Sequence, residues 1–270
     1  MHEGGDTMDN YSTLKLELDG HVAEVTLTRP DILNRLDDPA HEELMDVLDR
    51  LRKLPDIRAV VFASTGKAFS AGGDLNEVFR LNASREAREH TRELGRRIVY
   101  EFIDFPIPIV VALHGDAMGL GATLVLACDA VVASKTARIA DPHVKAGLVA
   151  GDGGCVLWPS AVGMLRAKRH LLTGEPLKAE QAYVAGLVTD LVETPELALT
   201  EARKLARTIA ALPPIAVRRT KQALNHLLRR EATQVFELSL AYEMETMGSE
   251  DVLEAVAAFK ERRTPVYKNR

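Results

Sequence analysis

Two glycine-rich turns, each directly after a short apolar run, constrain this chain more than any other feature. The first turn spans residues 66–75 and follows the run 60–64, and the second spans residues 114–121 and follows the run 109–113. Both runs are short, β-branched and bounded by glycine and polar residues, which is typical of buried strands. Because glycine lacks a Cβ atom, the backbone of these turns can adopt a positive φ and let a ligand carbonyl approach closely. Either turn taken alone is better explained as a simple tight turn.

A helix is predicted to begin directly after the second turn. The segment 122–128 is apolar apart from one threonine. The free N–H groups and the positive dipole end of such a helix favour a developing negative charge. If each turn aims one backbone N–H at the same oxygen, the chain forms an oxyanion hole, in which each donor contributes roughly 3 kcal/mol to a transition state.

The composition is that of one sizeable core with an appendage. The chain has 270 residues, of which 46% are hydrophobic. Its formal net charge is −5, so the composition does not indicate a basic surface for binding nucleic acid. No apolar stretch approaches the roughly 20 residues of a membrane span, and the N-terminus lacks a signal-peptide pattern. Cys128 and Cys155 lie in apolar surroundings, which favours reduced thiols in a cytoplasmic protein over a metal or disulfide site. Residues 1–10 are predicted to be a disordered leader.

Short strands and amphipathic helices alternate up to about residue 192, which predicts an α/β core. Examples are the predicted strands 21–28 and 57–64 and the predicted helices 39–54 and 84–104. From residue 196 onward only helical spacing of apolar residues is found. Four helices are predicted there, over residues 197–212, 215–228, 232–247 and 252–262.

Several motifs occur in order along the chain. They are Lys67-Ala-Phe-Ser-Ala-Gly-Gly-Asp74, the second glycine turn, Cys128-Asp129 and Gly147-Leu-Val-Ala-Gly-Asp-Gly-Gly154. Together with residues 29–36 and 179–188, they resemble the crotonase (enoyl-CoA hydratase/isomerase) superfamily from about Leu14 to the C-terminus.

This resemblance implies a fold, an assembly and a ligand. Residues 11–195 would form a crotonase-like spiral of ββα units, and residues 196–270 a helical region for trimerisation and for capping the active site. The assembly would be a homotrimer or a dimer of trimers. The substrate would be an acyl-CoA thioester, with coenzyme A as part of the substrate, no permanently bound cofactor and no metal. The N–H groups of Gly73 and Leu120 would be the oxyanion donors.

The chain departs from the family where the hydratases carry two glutamates that handle water and its protons. The matching positions are Thr123 and His143. A threonine hydroxyl can hold a water molecule but is no practical acid or base at neutral pH. Because the loss of one positioned acid or base typically costs 10²- to 10⁴-fold in rate, the usual two-glutamate hydration is not expected here.

His143 and Asp152 are the candidates to replace the glutamates. A histidine near its ordinary pKa is suited to proton transfer at neutral pH, and a carboxylate beside it can fix its tautomer and stabilise its cation. Each residue also has a structural explanation. His143 fits a hydrogen-bonded loop residue, and Asp152 fits the N-cap of a helix predicted to start at residue 153.

The loop around His143 and Asp152 also resembles that of the β-diketone hydrolases in the same superfamily. These enzymes use a His/Asp pair and water to split a C–C bond without coenzyme A. Glu243 matches an acidic active-site residue of that subgroup, although a solvated helix face is the interpretation favoured by sequence. In the second turn the chain keeps Gly119-Leu-Gly121, as the thioester enzymes do.

Contacts to coenzyme A are expected from regions that supply them in the family. They are Arg35, Lys67, Ala71 and Lys268, with Phe259 as an apolar contact made by the C-terminal segment of a neighbouring subunit. Surface charge and interface packing explain these residues equally well.

The sequence therefore predicts a crotonase-fold enzyme acting on an acyl-CoA thioester. Gly73 and Leu120 would bind the oxyanion, His143 would move the proton, Asp152 would orient His143, and Thr123 would position water. Two alternatives stay open: a C–C hydrolase of β-diketones with the same His/Asp pair, and a catalytically weak acyl-CoA-binding protein.

Overall fold

The computed structural model describes residues 11–270, and the predicted leader lies outside them. The strands in this part of the chain are β1 (Leu14–Asp19), β2 (Val22–Leu27), β3 (Ala59–Ser64), β4 (Ala68–Ser70), β5 (Ile109–Leu113), β6 (Asp116–Met118), β7 (Ala130–Ser134), β8 (Arg138–Ala140), β9 (Leu177–Lys178) and β10 (Asp190–Val192). The helices are α1 (Asp38–Arg52), α2 (Val78–Ala83), α3 (Arg85–Asp104), α4 (Leu120–Leu126), α5 (Gly154–Val162), α6 (Met164–Thr173), α7 (Ala179–Ala185), α8 (Pro195–Ala210), α9 (Pro214–Met247) and α10 (Glu250–Glu261).

The strands form two mixed sheets. The larger sheet has the order β1-β2-β3-β5-β7-β10 and is parallel except for the β1–β2 pair. The smaller sheet has the order β4-β6-β8-β9, with β8 and β9 antiparallel. From β3 to α6 the chain repeats one step three times, from a strand of the larger sheet to a strand of the smaller sheet and then to one or two helices. The α/β spiral of ββα units is therefore confirmed.

Burial explains why the central strands carry apolar residues on both faces. One face of the larger sheet packs against α1 and α3 within the main core, and the other face packs against a row of alanines on α8. That row consists of Ala198, Ala202, Ala206 and Ala210, at four-residue spacing. Small side chains at this spacing bring the helix close to the sheet, and a strand covered on both sides needs no polar face.

The C-terminal part is helical, as predicted, but two predicted helices are one. Residues 215–228 and 232–247 belong to the single helix α9, which runs from Pro214 to Met247. The predicted gap at residues 229–231 is helical, because arginine and glutamate are good helix formers and the segment 215–247 has no glycine or proline. The surface charge therefore marks an exposed turn of a continuous helix.

Cys128 and Cys155 are free thiols in this structure. Within residues 11–270, no helix combines the length and the apolar character that crossing a membrane requires.

Candidate active site

The two glycine-rich turns lie against each other at the ends of β4 and β6. Gly72 has a φ of 82°, and a Cβ atom at this position would lie 2.6 Å from the Met118 carbonyl oxygen and 3.4 Å from the Leu120 nitrogen. Only glycine allows this approach without strain. Gly119 also has a positive φ, of 52°, and directs the chain into α4.

The two amides that were predicted to form an oxyanion hole belong to these adjoining turns. Among residues 11–270, neither the Gly73 N–H nor the Leu120 N–H donates a hydrogen bond to a backbone carbonyl. Leu120 is the first residue of α4, where a backbone N–H has no partner within its own helix. Both donors are therefore available to an oxygen supplied by a ligand.

His143 lies directly behind the second turn, in a short 3-10 helix over His143–Ala146. A Cβ atom on Gly119 would lie 3.4 Å from His143 Cε1. The Nδ1 atom of His143 lies 2.5 Å from Asp141 Oδ1, and its Nε2 atom lies 3.5 Å from Asp152 Oδ2 and 3.9 Å from Glu243 Oε1. With 14% of its side chain exposed, His143 is a mostly buried residue among three carboxyl groups.

Asp152 combines the two interpretations given for it. Its carboxylate accepts a hydrogen bond from the backbone N–H of Gly154 at the start of α5, although the N-cap itself is Gly153. Its Oδ1 atom also accepts a hydrogen bond of 3.1 Å from the Thr123 hydroxyl, while Oδ2 faces His143. The buried Thr123 hydroxyl thus contacts Asp152, where a water molecule was expected.

Glu243 is buried, so the interpretation as a solvated helix face is wrong. It has 7% relative exposure, and its Oε2 atom has no hydrogen-bond partner among residues 11–270. Gly151 makes this possible, because a Cβ atom there would lie 2.5 Å from Glu243 Cβ. Glu243 follows the buried Phe236 and Leu240 at helical spacing, and this spacing was the signal in the sequence.

Asp141 was not predicted as a site residue. Its side chain is 1% exposed, and Oδ1 accepts from the His143 backbone N–H at 3.3 Å as well as contacting the ring. Aspartate often hydrogen-bonds a backbone N–H two residues further on, so the spacing Asp141-Pro-His143 brings carboxylate and imidazole together. That local pattern could have revealed the contact.

Burial and charge shift the pKa values of this cluster. Burial alone lowers the pKa of His143, but the negative charges of Asp152 and Asp141 outweigh it and hold the pKa well above 6.5. Burial raises the pKa of Asp152 to about 6 and that of Glu243 to about 8. At neutral pH the cluster therefore holds a charged imidazole, a mostly neutral Glu243 and a mostly ionised Asp152.

One ligand atom from each of Asp141, His143 and Asp152 lies within 4.8 Å of the others, a spacing that a metal site also shows. The hydrogen bond between Asp141 and Nδ1 occupies one such atom on each partner. On the Nε2 side, His143 and Asp152 then each keep one donor atom, and Glu243, the third group there, is mostly protonated at neutral pH, whereas zinc takes three or four deprotonated protein ligands. The cluster fits acid–base chemistry better than metal binding.

The residues expected to contact coenzyme A lie at the surface. Lys67 and Ala71 are exposed on the first turn, and Phe259, at 72% exposure, lies near the end of α10. Lys268 lies 3.8 Å from Glu250. The Arg35 guanidinium contacts the Asp74 carboxylate at 2.6 Å and thereby holds the first turn in place. Contact of these five residues with coenzyme A stays a prediction.

Comparison with known proteins agrees with this geometry. Residues 17–270 match the enoyl-CoA hydratase/isomerase family. A short-chain-enoyl-CoA hydratase of Clostridium acetobutylicum is 34% identical over 94% of this chain and 97% of its own, and a 1,2-epoxyphenylacetyl-CoA isomerase of Escherichia coli is 32% identical over 91% and 94%. The crystal structure of an enoyl-CoA hydratase/isomerase from Mycobacterium paratuberculosis superposes with a TM-score of 0.87 at 37% identity, covering 92% of this chain and 99% of that one. This chain therefore belongs to the enoyl-CoA hydratase/isomerase family of the crotonase superfamily and is an enzyme of that type.

Proposed function

We propose that this protein acts on an acyl-CoA thioester by moving protons next to its carbonyl group, in hydration or isomerisation of an enoyl group, with His143 and Asp152 in place of the family glutamates. The observation that carries this proposal is the contact between His143 and the second turn, where a Cβ atom on Gly119 would lie 3.4 Å from Cε1. An acid–base group is thus adjacent to the open Leu120 N–H. Proton transfer at an enolate needs both.

In hydration, the Gly73 and Leu120 N–H groups bind the thioester oxygen and stabilise the enolate. Asp152 takes a proton from water as the water oxygen bonds to the β-carbon of the enoyl group. His143 then gives a proton to the α-carbon, and the proton on Asp152 returns to His143 across 3.5 Å. Thr123 holds the Asp152 carboxylate in place through its hydroxyl.

Hydrolysis of a β-diketone by a reverse Claisen reaction is the second candidate, and the buried Glu243 favours it. With its pKa raised to about 8 by burial, the Glu243 carboxyl is mostly neutral at pH 7 and can donate a hydrogen bond to a second carbonyl. Water deprotonated by Asp152 would add to one carbonyl carbon. The C–C bond would then break, and the departing enolate would take up a proton from His143.

Calorimetric binding of coenzyme A, enoyl-CoA esters and cyclic β-diketones, followed by turnover of every ligand that binds, tests both candidates. We expect binding and turnover of an enoyl-CoA ester. In the His143→Ala variant, binding should persist and turnover should fall by at least ~10². Turnover of a diketone without binding of any coenzyme A ester would favour the second candidate. Binding without turnover of any compound would contradict both.

We propose a homotrimer, or a dimer of trimers, for the assembly. Large apolar side chains are exposed on α6, α7, α9 and α10, where a monomer would leave them in water; they include Leu165, Leu172, Val184, Ile215 and Phe259. An interface between subunits would remove these side chains from water. Closed symmetry is the usual arrangement of such oligomers.

A further inference from the structure

We propose that Asp141 is the positioning residue of the site, and that it holds His143 by Nδ1 so that Nε2 is the atom that exchanges protons with substrate. This role rests on the function proposed for His143. It also assigns to Asp141 the orienting task that the sequence pattern suggested for Asp152.

The contacts of His143 separate the two aspartates. Asp141 Oδ1 lies 2.5 Å from Nδ1 and also accepts from the His143 backbone N–H at 3.3 Å. One carboxylate oxygen therefore fixes both the backbone and the ring. Asp152 Oδ2 lies 3.5 Å from Nε2, which is at the limit for a direct hydrogen bond. Asp152 therefore faces the reacting atom, and Asp141 holds the opposite side of the ring.

The start of α5 is built around the Asp141 carboxylate. A Cβ atom on Gly154 would lie 2.1 Å from Asp141 Oδ2, so only glycine leaves room for this oxygen. The Oδ2 atom is buried and has no hydrogen-bond partner among residues 11–270. A buried carboxylate with so few partners is costly unless a cation lies beside it. The His143 imidazolium is the cation in contact, so the pair fits a charged, oriented histidine.

Three carboxyl groups face the His143 ring. Asp141 lies at Nδ1, and Asp152 and Glu243 lie on the Nε2 side at 3.5 Å and 3.9 Å. Removal of any one of these carboxyl groups in its ionised form should ease the loss of the imidazolium proton. Only removal of Asp141 should also change which ring nitrogen keeps the proton in the neutral form.

Nitrogen-15 NMR of histidine-labelled protein tests this directly. When the pH is raised above the value at which His143 of the wild-type protein loses its charge, we expect the remaining proton of the ring to lie on Nδ1. Free histidine prefers the other nitrogen, so an Nε2–H tautomer in the wild-type protein would overturn the proposal. This measurement needs no variant and no substrate, so it stands apart from the test of the proposed function.

The Asp141→Asn variant provides the second measurement. We expect the titration midpoint of His143 to fall by at least about one pH unit, because a carboxylate in contact raises a neighbouring pKa by about 1–3 units. We expect kcat to fall by at least ~10² with little change in KM. The matched control is Asp19→Asn on β1, which removes a surface contact with Arg207 and should change neither quantity.

A fall in kcat without a shift of the His143 titration would assign Asp141 a merely structural role and overturn the proposal. The proposal would also be overturned if Asp152→Asn, and not Asp141→Asn, changed the tautomer of neutral His143.

Discussion

At the scale of single residues, the site concentrates more acidic groups than one histidine can neutralise. Asp141, Asp152 and Glu243 all approach the His143 ring from buried positions. Burial raises the pKa of Asp152 to about 6 and that of Glu243 to about 8. Asp152 and Glu243 therefore both titrate near neutral pH, the range in which general acid–base catalysis is most effective.

We expect His143 and Asp152 to behave as one unit. Asp152→Asn should leave the melting temperature nearly unchanged, because the amide oxygen can still accept from Thr123 and from the Gly154 N–H. Turnover of the substrate should fall by at least ~10². His143→Ala should be at least as damaging, and the double variant little worse than the worse single one. Steady-state kinetics decides this, and losses that multiply in the double variant would show that the two residues act independently.

His41 should make the protein less stable in acid. It is buried on α1, both ring nitrogens lack a hydrogen-bond partner among residues 11–270, and burial lowers its pKa to about 4. The unfolded chain binds this proton near pH 6.5, so the contribution to stability is complete above pH 6.5 and is lost as the pH falls towards 4. The loss at pH 4 is about 3 kcal/mol.

Urea unfolding of the wild-type protein and of His41→Leu at pH 7 and at pH 4 measures that loss. The change in the free energy of unfolding between pH 7 and pH 4 is then compared between the two proteins, so that the contributions of the other titrating groups cancel. Identical pH dependence in the two proteins would show that His41 does not limit acid stability.

The sequence revealed part of this site and missed part of it for physical reasons. His143 and Asp152 were predicted because their residue types suit proton transfer and because the family resemblance places an active site in this loop. Asp141 was missed since its contact depends on a turn conformation that returns the carboxylate onto the ring. Glu243 lies about a hundred positions further along the chain, and its burial depends on how α9 packs against residue 151.

At the scale of elements, one glycine allows helix α9 to place Glu243 in the site. Gly151 lies in the loop before α5, and a Cβ atom there would lie 2.4 Å from the Ser239 carbonyl oxygen and 2.5 Å from Glu243 Cβ. The Ser239 hydroxyl donates a hydrogen bond to the Gly151 carbonyl at 3.2 Å. Loop and helix are thus in backbone contact, and the position of Glu243 depends on it.

Gly151→Ala should therefore destabilise the protein by about 1–3 kcal/mol, because the added methyl group must displace helix backbone. It should also reduce turnover, since Glu243 moves with α9. The matched control is Gly95→Ala in α3, where a Cβ atom would meet nothing within 4 Å. That change should stabilise the protein by up to about 1 kcal/mol. Thermal unfolding of both variants checks the pair, and equal effects would contradict the contact.

At the scale of the whole molecule, the alternation of strands and helices made the α/β class predictable. Strands and helices of the α/β core alternate at a spacing that short-range patterns capture, so the predicted strands 21–28 and 57–64 agree with β2 and β3 to within two residues. The stacking of the smaller sheet was not visible in the sequence, because β4, β6 and β8 have three residues each. Such short strands give no periodic signal, and only the family resemblance supplied the spiral.

The assembly is expected to be trimeric. Multi-angle light scattering at micromolar concentration should give three or six times the chain mass of 29.6 kDa. Replacing two exposed apolar residues of α7 and α6, Val184→Lys and Leu165→Lys, should lower this mass if these helices form the contact. A monomer in the unmodified protein would contradict the proposed assembly.

Crotonyl-CoA should be a poor substrate for this enzyme. The reacting side of the site presents His143, Asp152 and Glu243, and the Glu243 Oε2 atom is buried without a partner among residues 11–270. A short apolar acyl group cannot pair with that atom, so crotonyl-CoA forgoes a hydrogen bond that an acyl group with a hydroxyl can make and that contributes about 0.5–1.5 kcal/mol. Loss of the two-glutamate arrangement adds to this.

We expect kcat/KM at least ~10² below that of a short-chain-enoyl-CoA hydratase assayed in parallel, and a smaller deficit for an enoyl-CoA whose acyl group carries a hydroxyl or a second carbonyl. Equal rates on crotonyl-CoA would mean that His143 and Asp152 perform hydration as well as two glutamates do, and that Glu243 does not select the acyl group.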